Sequence, residues 1–419
     1  MLSKIFADSP EYNARKSTPL SPTKVTIAEL RAAVPKHLFE KNTIKGLAYV
    51  LRDVICATAL YKLAWLIKPT ANSLVTGSRD VPQIVGTCFE WCAWASYWFC
   101  QSVALAGCWS LAHEAGHDNI SSHKWVNDLV GFSLHTFLLA PYFAWRASHR
   151  AHHKATASVE RDENFVPRTR KDYGLPPEVL ATTRDYHEIF EETPIYTLAR
   201  MLFMQLLGWQ VYLVTNILGS PRHPPGTNHF FPSSTLFKPR DRRGIIISNI
   251  GISFMASLLY LWSKHVGASM FIKLYFIPYL LANHWIVMLT YLHHSDPTVP
   301  MYRSTQWSFV RGATATVDRP LLGWAGRFFL HNVSHDHISH HLFSSIPFYN
   351  QPLATAAIKG ILKEDYNYDS TNSFRALYRT FTQCCFIEEE GDIVFYKNRE
   401  GKTARELAKD ALTYPPRAT

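Results

Sequence analysis

The sequence predicts an all-α integral membrane protein: four transmembrane helices in two hairpins, interfacial helices, and a cytosolic, histidine-rich helical cap. Three observations lead there. Long apolar runs alternate with long charged stretches, although the mean hydropathy of −0.09 resembles that of a soluble protein. Lys and Arg are distributed unevenly among the segments between those runs. The histidines, 20 in 419 residues, gather where apolar runs end.

The apolar runs lie at 47–67, 84–111, 129–145, 196–218, 245–262 and 268–292. A spanning helix needs roughly 20 mostly apolar residues. Run 47–67 carries Arg52, Asp53 and Lys62, and run 129–145 is short and contains Pro141. Lys and Arg together number eight in 1–46 and eight in 146–195, but two in 68–83 and one in 263–267. The positive-inside rule puts the first two segments in the cytosol and the last two in the lumen. Segment 219–244 carries five and is therefore also cytosolic, so 196–218 lies in the interface without crossing. The spans become 47–67, 84–107, 245–262 and 268–292, with both termini cytosolic.

This topology divides the chain into five parts. Residues 1–46 form a flexible basic tail with an amphipathic segment. Residues 47–111 form the first hairpin, leading into a histidine cluster, and 112–244 form a cytosolic and interfacial region. Residues 245–292 form the second hairpin, and 293–419 a cytosolic C-terminal region whose last part, 365–419, reads as a small cap.

Bulk properties exclude other classes. The formal charge of +10 is spread along polar segments with no nucleic-acid motif, so anionic lipid headgroups account for it. Aromatics, 14% of the chain, crowd in and beside the apolar runs, as at membrane interfaces. Five of the seven cysteines lie in apolar runs, and no paired spacing suggests a disulfide framework. The polar N-terminus lacks a secretory apolar core, which leaves targeting to the first membrane helix.

The histidines fall into three motifs, HEAGH at 113–117, HRAHH at 149–153 and HISHH at 337–341. On a helix, positions i, i+3 and i+4 share a face. His113 and His117 can therefore reach one metal, as can each triplet, His149, His152 and His153 or His337, His340 and His341. Eight imidazoles are too many for one ion and enough for two, and neutral imidazole suits iron, zinc or copper. His293 or His294 offers a ninth ligand. Two metals with nitrogen ligands beside a bilayer point to oxygen chemistry or hydrolysis. HEAGH alone also fits a zinc protease motif with Glu114 as general base, but that leaves six motif histidines idle. A non-catalytic membrane receptor with a structural metal is a third class.

The motifs in their surroundings resemble membrane fatty acid desaturases, most of all the fungal oleate Δ12 branch and its ω3 relatives. The likeness rests on HEAGHDNIS, HRAHHKATASVERDENFVP, TYLHHSDPTVPMY and RGATATVDRPLLGWAGRFFLHNVSHDHISHHLFSSIPFYN, and covers about residues 25–400. It implies an endoplasmic reticulum enzyme with two irons, using dioxygen and two electrons from cytochrome b5 and its reductase. Its substrate would be a fatty acyl chain on phospholipid or coenzyme A, held in the bilayer. The implied ligands are His113, His117, His149, His152, His153, His337, His340 and His341, with His294 preferred over His293. The outcome it favours is Δ12 desaturation of oleoyl to linoleoyl; ω3, dual Δ12/ω3 and hydroxylating relatives share the same motifs. Relatives often carry Asp-Thr ahead of the last motif, where this chain has His335-Asp336, and His335 reads as an idle surface residue. Asp118 and Asp162 are candidate acceptors for ligand N–H groups, or caps. His223-Pro224-Pro225-Gly226 resembles a haem-binding string but sits in a connection too short for a haem domain, so the electron donor is a separate protein.

Overall fold

The computed structural model describes residues 6–77 and 81–413. It is mostly helical, and among the described residues its one two-stranded pairing joins Met301–Tyr302 to Ile393–Val394.

Helices stand at each predicted span: Thr43–Ala64, Gln83–Gly116, Arg242–Val266 and Ala268–His294. Among the described residues, Pro239–Val266 and Ala268–His294 are long and apolar enough to cross a membrane. Ile246, Ile250, Phe254, Leu258 and Leu261 are exposed on the first of these, a lipid-facing pattern. Run 129–145 is two helices, Lys124–Phe137 and Tyr142–His153, because Pro141 has no N–H to continue the first. Run 196–218 is one helix, Pro194–Thr215, started by a Thr193 side chain that accepts from Tyr196 N and ended by Asn216 in the left-handed conformation.

Pro278 interrupts the last long helix. It cannot donate to Leu274, and the helix absorbs the defect as a π turn at Ile272–Phe276. Two freed carbonyls find partners on the neighbouring helix: Tyr97 Oη donates to Leu274 O at 2.7 Å and Trp98 Nε1 to Lys273 O at 2.9 Å. In lipid, such carbonyls must be satisfied by protein. Helix Gln83–Gly116 is thereby fastened to the helix that ends in His294. The main core lies between them and Pro194–Thr215, around Leu105, Trp109, Trp209, Trp285 and Met288.

The N-terminal segment corrects the expectation of a flexible tail. Helices Pro10–Ser17 and Ile27–Ala33 are capped by Ser9 and Thr26, and they dock on the C-terminal region. Ser9 Oγ donates to Asp369 at 2.9 Å, Arg15 Nε to Thr298 at 2.7 Å, and Leu20 pairs with Leu407. Their partners are some 280–390 residues away, so no local pattern announces this order.

Candidate metal centre

Four helix ends deliver the histidines. Gln83–Gly116 is buried on every side from Gln101 onward and brings His113, with His117 at its cap. Tyr142–His153 brings His149, His152 and His153, Ala268–His294 brings His293 and His294, and the short helix His337–Leu342 brings the rest. All are buried except His294, which is half-buried.

Their ring nitrogens form two groups. His113, His117, His149, His153 and His340 lie within 4.8 Å of one another, and so do His152, His294 and His341. His337 joins the second, with its Nε2 3.0 Å from that of His294 and 3.1 Å from that of His341. The groups adjoin, since His153 and His341 stack at 4.1 Å.

This arrangement corrects the expectation that each triplet serves one site. The i and i+4 members enter one group and the i+3 member enters the other. His149 and His153 go to the first and His152 to the second; His337 and His341 go to the second and His340 to the first. At 3.6 residues per turn, i and i+4 point about 40° apart, whereas neighbours point about 100° apart. His152 and His153 therefore face different centres, and each triplet bridges both.

The residues fit metal ions. Nε2 pairs face each other at 3.0 Å in His113–His149, His149–His153 and His294–His337, and His117 and His340 have buried Nε2 atoms without a hydrogen bond. Two nitrogens about 2.1 Å from one ion and at right angles stand about 3.0 Å apart. The Nδ1 atoms are held from behind: His152 by Asp162 at 2.6 Å, His337 by Val333 O at 3.0 Å and His341 by Thr156 Oγ1 at 3.0 Å. A carbonyl or carboxylate only accepts, and Thr156 Oγ1 spends its own hydrogen on His152 O, so in each case Nδ1 carries the hydrogen and Nε2 keeps its lone pair for an ion. Burial pushes His113 and His340 down to about 3, and burial with neighbouring imidazoles holds His117, His149, His153 and His341 well below 6.5. The neutral ligand form is the resting form.

Glu114 is fully buried, with Oε1 3.1 Å from His113 Nδ1 and 3.6 Å from His340 Nδ1. It stands behind the ligands, away from the Nε2 side where a protease's general base acts. Asp162 fills both roles considered for it, holding His152 and accepting from the backbone N–H groups of Ala157, Asn164 and Phe165. Asp118 pairs with Arg150 and meets no histidine. His293 donates Nδ1 to Val317 O at 2.6 Å and stacks on His337, outside both groups. His335 is not a surface residue: helix Gly323–Phe329 covers it, leaving it 8% exposed and in neither group. His223 bonds Thr235 within its Pro-rich loop and Glu163, which follows the second motif.

Sequence reasoning missed the pair Asp53–His331. His331 Nε2 donates to Asp53 Oδ2 at 2.6 Å with both residues buried, and Arg52 donates to Asp53 and to Phe328 O. His331 and Asn332 are both left-handed, at φ 51° and 66°. Gly107 lets this turn approach the first histidine helix, since a Cβ there would fall 2.5 Å from Phe329 O. The pair ties helix Thr43–Ala64 to the turn leading into the third motif. The signal was an aspartate in an apolar run, which is costly without a partner.

Apolar helices of membrane-spanning length, gathering nine histidines into two adjoining nitrogen groups, define a class of membrane metalloprotein. Comparison with known proteins narrows it. Residues 93–372 match the fatty acid desaturase family, and residues 6–62 match a domain of unknown function. The chain is 39% identical over 377 residues to a Delta(12) fatty acid desaturase of Mortierella isabellina, covering 89% of this chain and 90% of the relative. It is 34% identical over 397 residues to a Delta(12)-fatty-acid desaturase of Arabidopsis thaliana, covering 93% and 96%. It is 37% identical over 406 residues to an oleate hydroxylase of Claviceps purpurea, covering 90% and 82%. The chain belongs to the fatty acid desaturase family, and is a membrane oxidoreductase acting on fatty acyl lipids.

Proposed function

We propose that this enzyme converts oleoyl to linoleoyl chains by Δ12 desaturation, using dioxygen and two electrons at a di-iron centre. The observation that carries the reading is the pair of adjoining, all-imidazole groups built jointly by the three motifs and His294. Relatives from fungi and a plant that are named as Delta(12) desaturases favour this outcome. Iron is favoured over structural zinc by ligand number: the first group offers five imidazoles, against the four ligands of a structural zinc site.

His113, His117, His149, His153 and His340 would hold one ion, and His152, His294, His337 and His341 the other. Iron, when bound, supplies the oxidising power needed to take hydrogen from an unactivated methylene, which no acid or base side chain can do. The chain's own residues aim it. Asp162, Val333 O and Thr156 fix the tautomers and planes of His152, His337 and His341. Trp109 and Trp145 cover His113 and His149 and keep water from that side. The acyl chain, on phospholipid or coenzyme A, enters from the bilayer, and its depth sets the position of the double bond.

Helices Thr43–Ala64, Gln83–Gly116, Arg242–Val266 and Ala268–His294 form two membrane hairpins in the endoplasmic reticulum. Both termini face the cytosol, a reading supported by the docking of residues 9–20 on 296–407. Cytochrome b5 and its reductase deliver electrons there. The test is expression in a host without polyunsaturates, with mass spectrometry locating new double bonds. A Δ12 bond and about two irons per chain are expected. A hydroxylated product would instead align the chain with the Claviceps relative, and unchanged lipids would refute the reading.

A further inference from the structure

Behind the first histidine group stands a continuous line of oxidisable rings that ligand binding does not require. Trp145 lies parallel to His149, with centroids 4.3 Å apart and planes at 15°, and Trp109 lies parallel to His113 at 5.8 Å and 14°. The two indoles meet at 5.3 Å, and both meet Trp209, at 5.6 and 6.3 Å. Trp209 stacks on Tyr212 at 5.8 Å. The three tryptophans are buried, whereas Tyr212 is half-buried and donates its hydroxyl to Asn164 Oδ1 at 3.0 Å, itself half-buried. The rings come from three helices, and the line runs from a ligand to the surface without a gap.

We propose that Trp145, Trp109, Trp209 and Tyr212 form a one-electron drain that quenches the loaded centre when oxygen has been activated but no acyl chain is in place. The proposal rests on the iron-dependent oxidation proposed above. Indole and phenol are the ring side chains that give up an electron most readily, so they shield histidines that would otherwise be oxidised. The centre gains one electron from Trp145; Trp209 refills Trp145, and Tyr212 refills Trp209. The net loss per passage is one electron and one proton from the Tyr212 phenol, the proton passing to solvent. A soluble thiol then returns a hydrogen atom to the phenoxyl; a second passage delivers the second electron the activated centre lacks, with protons from solvent, and the two thiyl radicals pair as a disulfide, which closes the balance.

The experiment uses the full chain in lipid nanodiscs, loaded with ferrous iron and cycled with dioxygen and reductant without acyl substrate. Peptide mass spectrometry maps oxidised residues in wild type, Tyr212→Phe and Trp209→Phe, with and without thiol. In wild type, oxidation concentrates at Tyr212 and thiol suppresses it. In the two variants, oxidised Trp145 and Trp109 and loss of iron accumulate several-fold faster, while the initial yield from an oleoyl phospholipid is unchanged. Tyr212→Phe keeps the ring and removes only the readily oxidised group, so packing alone predicts no difference from wild type. A nitroso spin trap on wild type gives a second readout, with the adduct expected at Tyr212; an adduct elsewhere overturns the route. Equal oxidation maps in wild type and Tyr212→Phe also overturn it, even where wild type desaturates. A wild-type chain that binds no iron and forms no double bond instead fails the reading on which the drain rests.

Discussion

Only Ser295 stands between His294, in the histidine cluster, and Asp296, at the heart of a second buried polar cluster. The second holds Arg15, Arg319 and Arg379 against Asp8, Asp296 and Asp369. Arg319 reaches Asp296 at 2.7 Å and Asp369 at 2.5 Å, and Arg379 reaches Asp369 at 2.5 Å and Asp8 at 2.8 Å. Every cation there has an anion, and the set joins the N-terminal segment, the end of the last long helix and the C-terminal region. The histidine cluster is its opposite, with nitrogens facing nitrogens and buried Nε2 atoms left without partners. Buried polar groups in a merely structural cluster pair with one another, and although Arg15 Nη2 and Arg379 Nε lack a hydrogen bond, both guanidinium groups remain ion-paired. A cluster that leaves its lone pairs converging on shared points is built for something that arrives from outside.

The two clusters can be broken separately. The largest effect is expected for His340→Ala, which removes the third motif's only ligand from the first group; desaturation should vanish in lipid analysis while membrane insertion persists. Arg379→Ala should cost about 3–5 kcal/mol of stability by stranding buried carboxylates, read as a lowered thermal midpoint in detergent, with iron per folded chain unchanged. Asp162→Asn should do the reverse, weakening metal affinity by about 10–100-fold in a chelator titration with little change in midpoint.

Acid separates the clusters again. His113 and His340 hold protons less well folded than unfolded, so at these two sites only the unfolded chain takes up protons in the window from 6.5 down to about 3; their contribution to metal retention and stability is therefore full above 6.5 and falls as pH drops. Burial alone would raise Asp369, but Arg319 and Arg379 hold it well below 3.8, so the ion-pair cluster contributes fully above 3.8 and is lost only at lower pH. Iron release should precede release of the N-terminal segment, as followed by metal analysis and limited proteolysis across one titration. The smallest effect is expected for His335→Asn, outside both groups, which should leave iron content and product yield unchanged.

How much could be read in advance follows from how local each feature is. HEAGH, HRAHH and HISHH are legible because a helix converts short spacings into a shared face; the ring of His294, and not that of His293, falls in a nitrogen group. Helices at the expected spans were legible because an apolar run of that length has few alternatives. The division of each triplet between two groups was not, because it depends on where four helix ends meet and not on any one of them. The docked N-terminus was hidden for the same reason, since Ser9 and Asp369 are 360 positions apart. Asp53 was visible as an oddity, but its partner His331 lies 278 positions away. His335 was misjudged because nothing in its own neighbourhood foretells the short helix that folds over it.

The crossing of the two triplets between groups has a bearing on assembly. Because helices Tyr142–His153 and His337–Leu342 each reach into both halves, seating the first ion fixes the angles at which the second must be received. Occupancy should then be all or none: at limiting iron, a preparation would divide into empty and fully charged molecules, with few carrying a single ion.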